Sequence, residues 1–88
     1  MDNIAFYIQG NSMTPTVSNG DMVLCSTIDS IEAIEENDIY VIITKAGNVL
    51  IKRVQKIRGR NSNIIQLKLI PDNRQNYKTF KIPLKTVK

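Results

Sequence analysis

The sequence has no histidine, no tryptophan and a single cysteine among its 88 residues. Without an imidazole, the chain cannot form a Ser-His-Asp triad, a Cys-His dyad or a histidine-based metal site. We therefore expect no metal and no other cofactor. Any nucleophilic catalysis by this chain needs a base other than histidine.

Long hydrophobic runs are also absent. No segment approaches the roughly 20 apolar residues of a membrane-spanning helix, and the N-terminus lacks the charged and apolar regions of a secretory signal. The lone cysteine, Cys25, cannot form an internal disulfide and is typical of a reducing cytoplasm. Its apolar neighbours Met22, Val23 and Leu24 favour a small core residue over a reactive thiol. We expect a soluble, cytoplasmic protein with no membrane partner.

The hydrophobic content of 42% and the short length are typical of one small domain with one core. The apolar segments are strand-sized and rich in Ile, Val, Tyr and Phe. They cover residues 4–9, 22–26, 39–44, 49–57, 64–70 and 79–84. Turn residues separate them, and one short helical turn capped by Ser30 is predicted over residues 30–35. The pattern predicts a mainly β fold, a compact and partly open antiparallel β-barrel or sandwich.

Two of these segments are informative about position. Residues 39–44 are apolar on both faces, which predicts a central strand, and residues 45–48 form a hairpin connection to the next strand. In that next strand Leu50, Lys52 and Val54 share one face because side chains alternate. A lysine on an apolar face is unusual, since lysine is almost never buried without a partner or a role.

Residues 10–16 directly follow an apolar strand and end in a Thr-Pro-Thr turn. The hydroxyl of Ser12 on such a turn is expected to be exposed, with backbone N–H groups close by. Considered alone, these seven residues are better explained as a polar loop joining two strands.

Together with Lys52, this segment resembles the serine region of the C-terminal peptidase domains of LexA-like and phage repressors. The serine region of the resemblance continues through residues 19–24. Three further segments resemble that family in the same order along the chain: residues 36–41, residues 51–54 around the lysine, and residues 69–73 with their asparagine-containing turn. The resemblance runs from about Ile8 to Tyr77. Type I signal peptidases share the serine and lysine motifs and the core fold.

The resemblance implies that residues 1–88 form one repressor-type serine peptidase domain, belonging to a longer regulator with an N-terminal DNA-binding domain. It implies a homodimer, DNA contact through that other domain, and self-cleavage of the regulator's own linker upon a signal such as DNA damage. Two departures stand out: Asn11 replaces a common acidic residue, and Asn37 replaces a common glycine. The family's linker is cut at an Ala-Gly bond. The pair Ala46-Gly47 lies in the predicted hairpin, so we do not expect cleavage there.

The implied catalytic residues are Ser12 as the nucleophile and Lys52 as the base. A free lysine has a pKa of about 10.4 and is protonated at neutral pH, but burial beside Leu50 and Val54 lowers the pKa and makes the amine available as a base. Backbone N–H groups of Ser12 and Met13 are the candidate oxyanion donors. The Met13 side chain either lines a substrate pocket or packs in the core.

Two other functions fit the sequence. One is a signal-peptidase-like processing enzyme, which the absence of a membrane anchor disfavours. The other is a non-catalytic dimerisation or nucleic-acid-binding module, supported by the net charge of +4 and a cluster of basic residues between Lys45 and Arg60. The scarcity of aromatic residues favours a solvated basic hairpin over a nucleic-acid patch.

Overall fold

A computed structural model describes residues 3–88 as a mainly β fold with two antiparallel sheets. The strands are β1 (Asn3–Tyr7), β2 (Met22–Ser26), β3 (Ile39–Ile43), β4 (Val49–Arg58), β5 (Ile64–Ile70) and β6 (Phe80–Pro83). Two short 3₁₀ helices cover Ile31–Ala33 and Leu84–Thr86. The predicted fold class is confirmed: the sheets do not close into a barrel within residues 3–88, and the arrangement is that of a partly open sandwich.

The first sheet is a two-stranded hairpin of β1 and β2, in which Tyr7 pairs with Met22 and Asn3 pairs with Ser26. The second sheet has four strands in the order β3-β4-β5-β6, so each strand pairs with its neighbour in sequence. Such consecutive antiparallel pairing follows from the short turns between the apolar segments. The end of the chain then returns to the end of β3, because Val87 forms an isolated antiparallel bridge with Thr44, the residue that follows β3.

The hydrophobic core lies on one face of the four-stranded sheet. Its buried members come from β3, β4, β5 and the connections that flank them: Ile34, Ile42, Val54, Ile64, Leu67 and Leu69. Alternation explains this choice, since Val54 on β4 pairs with Leu69 on β5 and both point to the same side. No residue of β1 or β2 belongs to this cluster.

The predicted central position of residues 39–44 is wrong, because β3 is the first strand of the four-stranded order. Its apolar character has another cause. A groove of about 780 Å³ separates β3 from β2, and side chains along β3 line it together with Leu24 and Cys25. A strand that faces an apolar groove is partly buried on both faces without having a strand on each side.

The predicted helical turn is confirmed only as the 3₁₀ helix Ile31–Ala33. Ser30 occupies the N-cap position, but its side chain makes no capping hydrogen bond. Asn37, which stands where the resembled family commonly has glycine, adopts a φ of 70°. That left-handed conformation favours glycine and tolerates asparagine, so the substitution keeps the backbone conformation that this turn requires.

Candidate active site

Ser12 lies in the connection between β1 and β2, on a turn closed by a hydrogen bond from the Thr14 N–H to the Asn11 carbonyl oxygen at 3.3 Å. The two ends of this connection are held together by one more hydrogen bond in the pattern of the β1–β2 hairpin, which the Ile8 N–H donates to the Asp21 carbonyl oxygen at 2.8 Å. Asn11 also uses its side chain, since its Oδ1 accepts the Asn19 N–H at 3.4 Å. An amide oxygen serves here as a carboxylate oxygen would, which accounts for asparagine at this position.

Lys52 lies near the middle of β4 and points to the core face, as the alternation of the strand predicts. The residue is only 8% exposed, and its neighbour on the same face, Val54, is 0% exposed. Burial lowers the pKa of the Lys52 amine below its ordinary value, because an ammonium loses its hydration there. The neutral amine is the form that a general base requires.

The fold brings these two side chains together although they are 40 residues apart in the sequence. The Nζ atom of Lys52 lies 3.0 Å from the Oγ atom of Ser12. This separation is within the roughly 2.6–3.2 Å over which a base removes a proton directly. Chemically, the arrangement is a half-buried hydroxyl in contact with a dehydrated amine.

A second loop holds the serine turn in place. The Asn73 N–H donates to the carbonyl oxygen of Ser12 at 3.0 Å, and the Asn73 side chain donates to the carbonyl oxygen of Asn11 at the same distance. The Asp72 N–H donates to the sulfur of Met13 at 3.4 Å. Main-chain and side-chain groups of Asp72 and Asn73 thus anchor three consecutive residues of the turn.

The carboxylate of Asp72 connects the same loop to the lysine strand. It accepts hydrogen bonds from Arg53 Nε at 2.8 Å and Arg53 Nη2 at 3.3 Å, and it also accepts one from the Thr16 hydroxyl. Burial raises the pKa of Asp72, but the hydrogen bonds from Arg53 and Thr16 outweigh it and leave the pKa below its usual value. The carboxylate is therefore charged at neutral pH.

Sequence reasoning did not assign Arg53, Asp72 or Thr16 to the site. Arg53 points to the opposite face of β4 from Lys52, and Asp72 is distant from Ser12 along the chain. The one available signal was the resemblance of residues 69–73 to the family's asparagine-containing turn. That signal marked the loop without stating which groups it contacts.

Met13 is 1% exposed, so its side chain packs in the interior rather than lining an open pocket. The hydrogen bonds among residues 3–88 do not use the backbone N–H of Ser12 or of Met13. Both belong to the two central residues of the Asn11–Thr14 turn. N–H groups without a partner next to a nucleophile are the kind of donor that an oxyanion requires.

The basic residues between Lys45 and Arg60 do not act as one surface. Lys52 is buried, Arg53 pairs with Asp72, and Arg58 Nη2 pairs with Glu32 at 2.9 Å. Lys56 Nζ also donates to the carbonyl oxygen of Glu32 at 3.3 Å, so four of these six side chains make contacts within the protein. Cys25 lies partly buried on β2 and borders the apolar groove.

Two further observations concern other possible sites. Within residues 3–88 no three His, Cys, Asp or Glu side chains come close enough to hold a metal ion. Across the same residues, no helix has the length and hydrophobicity needed to cross a membrane. Ala46 and Gly47 lie in the tight turn between β3 and β4, where the Gly47 N–H donates to the Thr44 carbonyl oxygen at 2.9 Å.

The lowered pKa of Lys52 has a consequence for stability. Between that lowered value and the ordinary value of about 10.4, the unfolded chain binds more protons than the folded one, so the free energy of unfolding rises with pH across this interval. We expect Lys52→Met to abolish the rise and to increase stability at neutral pH by roughly 1 kcal/mol, a few degrees in Tm.

Thermal unfolding at several pH values measures this effect. The matched control is Lys56→Met, because Lys56 lies four residues after Lys52 on the same face of β4. The control should keep the wild-type pH dependence. A Lys52→Met protein that is less stable than wild type at neutral pH would contradict the claim that burial of this amine costs free energy.

A family model described as Peptidase S24-like matches residues 2–88. No curated protein and no solved structure gives a match.

Proposed function

Because the chain belongs to the Peptidase S24-like family of serine peptidases, we propose that it is a repressor-type peptidase domain that cleaves a linked peptide with a Ser-Lys dyad. In this proposal Ser12 is the nucleophile and Lys52 is the general base. The observation that carries the assignment is the 3.0 Å separation of Ser12 Oγ and Lys52 Nζ, with the lysine 8% exposed.

The reaction begins with proton transfer. The neutral amine of Lys52 takes the hydroxyl proton while Ser12 Oγ attacks the peptide carbonyl carbon. The carbonyl oxygen becomes an anion, and the backbone N–H groups of Ser12 and Met13 donate to it. The surrounding burial strengthens both interactions, since charges act more strongly where water is excluded.

The same amine completes the cycle. The Lys52 ammonium returns its proton to the leaving nitrogen as the peptide bond breaks, which leaves an ester between Ser12 and the new carboxyl end. Water then attacks the ester carbonyl while Lys52 accepts a proton from it, and Lys52 returns that proton to Ser12 Oγ as the ester bond breaks. A single base is enough for both half-reactions because it alternates between its two protonation states.

We further propose that the substrate is attached to the same polypeptide. A tethered peptide has a high local concentration, and well-oriented intramolecular reactions gain several orders of magnitude in rate by this route alone. In a full-length regulator, the domain would pair with a second copy, and a separate DNA-binding domain would contact DNA. Cleavage of the linker between the two domains would inactivate the regulator.

A fusion tests cleavage in cis. A flexible segment of about 30 residues with one Ala-Gly bond, placed before Asn3, has a mean reach of about 30 Å, enough to fold back along β1 to Ser12. We expect cleavage at that bond with a first-order rate constant that is unchanged on tenfold dilution. The measurement is intact-mass spectrometry of the products with time.

Two comparisons decide the result. The fusion with Ser12→Ala should remain intact, and Ala46-Gly47 within the β3–β4 turn should stay uncut as an internal control. A rate constant that falls in proportion to dilution would contradict cleavage in cis. An intact fusion at mildly alkaline pH would contradict self-cleavage altogether.

A further inference from the structure

The serine and the lysine of the candidate site belong to different parts of the fold. Ser12 is carried by the β1–β2 hairpin, from which no residue joins the main hydrophobic core, whereas Lys52 lies on a core strand. The contact between them therefore depends on whatever attaches the serine turn to the four-stranded sheet. Displacement by about 1 Å is enough to lower a rate by roughly 10²-fold.

The carboxylate of Asp72 occupies the position where these two parts meet. One of its oxygens accepts Arg53 Nε at 2.8 Å, and the other accepts both Arg53 Nη2 and the hydroxyl of Thr16. Arg53 directly follows Lys52 in β4. Thr16 lies four positions after Ser12, in the same connection between β1 and β2. Asp72 thus links the residue after the base to the loop that carries the nucleophile.

Arg53 is itself fixed from two sides. Its Nη1 donates to the carbonyl oxygen of Asn37 at 2.9 Å, and its other nitrogens hold Asp72. The Asp72 side chain is 15% exposed, so the pair is partly protected from water. A forked, two-bond contact of this kind fixes orientation as well as distance. A lysine at position 53 would supply charge without the fork.

We propose that Arg53 and Asp72 are positioning residues that hold the Ser12 hydroxyl in register with the Lys52 amine, acting through Thr16. The inference rests on the proposed function, since it concerns the geometry of the Ser-Lys pair. Neither residue donates or removes a proton in the reaction. Their effect is on how often the hydroxyl and the amine are in contact.

A serine-directed fluorophosphonate probe measures this. Oγ of Ser12 attacks phosphorus, the P–F bond breaks, fluoride leaves, and Lys52 takes the hydroxyl proton. We expect Arg53→Gln and Asp72→Asn to lower the maximal labelling rate at saturating probe by roughly 10–100-fold, with the half-saturating probe concentration nearly unchanged. Arg53→Lys should recover only part of the loss.

The matched control is Arg58→Gln on the same strand as Arg53, which breaks the ion pair of Arg58 with Glu32 of the 3₁₀ helix Ile31–Ala33. Arg58 lies at the far end of β4, so this variant should label within about twofold of wild type. Thr16→Val is a milder variant that keeps the ion pair between Arg53 and Asp72, and we expect it to lower the maximal labelling rate several-fold. Because Thr16 and Arg53 act through one carboxylate, the double variant should lose less than the product of the two single losses.

The pH profile separates positioning from general damage. Burial sets the pKa of Lys52, so the positioning variants should lower the plateau of the rate–pH curve and leave its midpoint in place. Wild-type labelling rates in Arg53→Gln and Asp72→Asn would overturn the positioning role and leave the Ser-Lys assignment standing. If the variants regain the wild-type labelling rate on cooling as they refold, the loss of rate reflects unfolding, and this result would also overturn the positioning role. Failure of Ser12 to label in the wild-type protein would overturn both.

Discussion

We expect Ser12→Ala to abolish labelling of the protein by a fluorophosphonate probe, and Lys52→Ala to slow labelling at neutral pH by roughly 10²–10⁴-fold, the range typical of general-base catalysis. These are the expected results if the contact of 3.0 Å between the two side chains is the catalytic dyad. Alanine at position 12 removes the attacking oxygen. Alanine at position 52 leaves the oxygen but removes the group that accepts its proton.

Mass spectrometry of the intact protein measures both effects, and peptide mapping locates the label. Ser18→Ala, in the same connection between β1 and β2, is the matched control for the serine. Lys56→Ala, on the same face of β4, is the control for the lysine. Both controls should label like wild type. Equal labelling of wild type and Ser12→Ala would show that the probe reacts elsewhere and that Ser12 is not the nucleophile.

We expect the labelling rate to rise with pH and then to reach a plateau. Only the neutral amine accepts a proton, so the rate increases about tenfold per pH unit below the pKa of Lys52 and levels off above it. Because burial lowers that pKa, the midpoint lies below the ordinary lysine value of about 10.4. Between pH 6 and pH 8 the account predicts an increase of about 50-fold if the midpoint lies at pH 8, and one that approaches about 100-fold if the midpoint lies well above pH 8.

A pair of variants checks the cause of this shift. Leu50 shares the face of Lys52 and belongs to the packing around the core, whereas Val49 is exposed and lies on the other face. Leu50→Gln admits water beside the amine and should move the midpoint upward, toward the ordinary value. Val49→Gln should leave it unchanged. Equal midpoints in the two variants would contradict desolvation as the cause.

Alkaline behaviour of the Lys52→Ala protein adds a separate outcome. If hydroxide or another side chain removes the serine proton, this variant recovers the wild-type rate as pH increases. The Ser-Lys account predicts that it stays far below wild type across the range where the wild-type rate has levelled off.

The strands were predictable from the sequence because each is a short apolar run between turn residues. Residues 22–26 and 64–70 match β2 and β5, and the other strands differ at their ends by one or two residues. The position of Lys52 on the core face followed from alternation with Val54. The same alternation could not show where β3 lies, since a strand beside a groove and a strand between two others are both apolar on two faces.

The network that holds the serine turn was not predictable. Asp72 and Asn73 contact residues of the turn that lie more than 50 positions earlier in the chain, and no local pattern encodes such a contact. Arg53 was assigned to the opposite face from Lys52, which is correct for its strand, but its long side chain turns to meet Asp72. Partners of long polar side chains depend on how loops pack, and sequence periodicity describes only the strands.

The interpretation of the basic cluster was limited in the same way. Charges counted along the chain between Lys45 and Arg60 suggest one patch. In the fold, each of the two arginines pairs with a different carboxylate, Arg58 with Glu32 and Arg53 with Asp72. The side chain of Lys52 is buried. A count of charges cannot distinguish a free cation from one that another part of the chain neutralises.

The proton occupancy of one amine tests the account most directly. Carbon-13 NMR of the protein labelled at the lysine ε-carbons follows each amine as pH increases, and the Lys52→Met variant identifies the signal of Lys52. The account predicts a titration midpoint below about 10.4 that coincides with the midpoint of the labelling rate. A Lys52 signal that titrates at the ordinary lysine value, while labelling of Ser12 rises at a different pH, would contradict the assignment of Lys52 as the base.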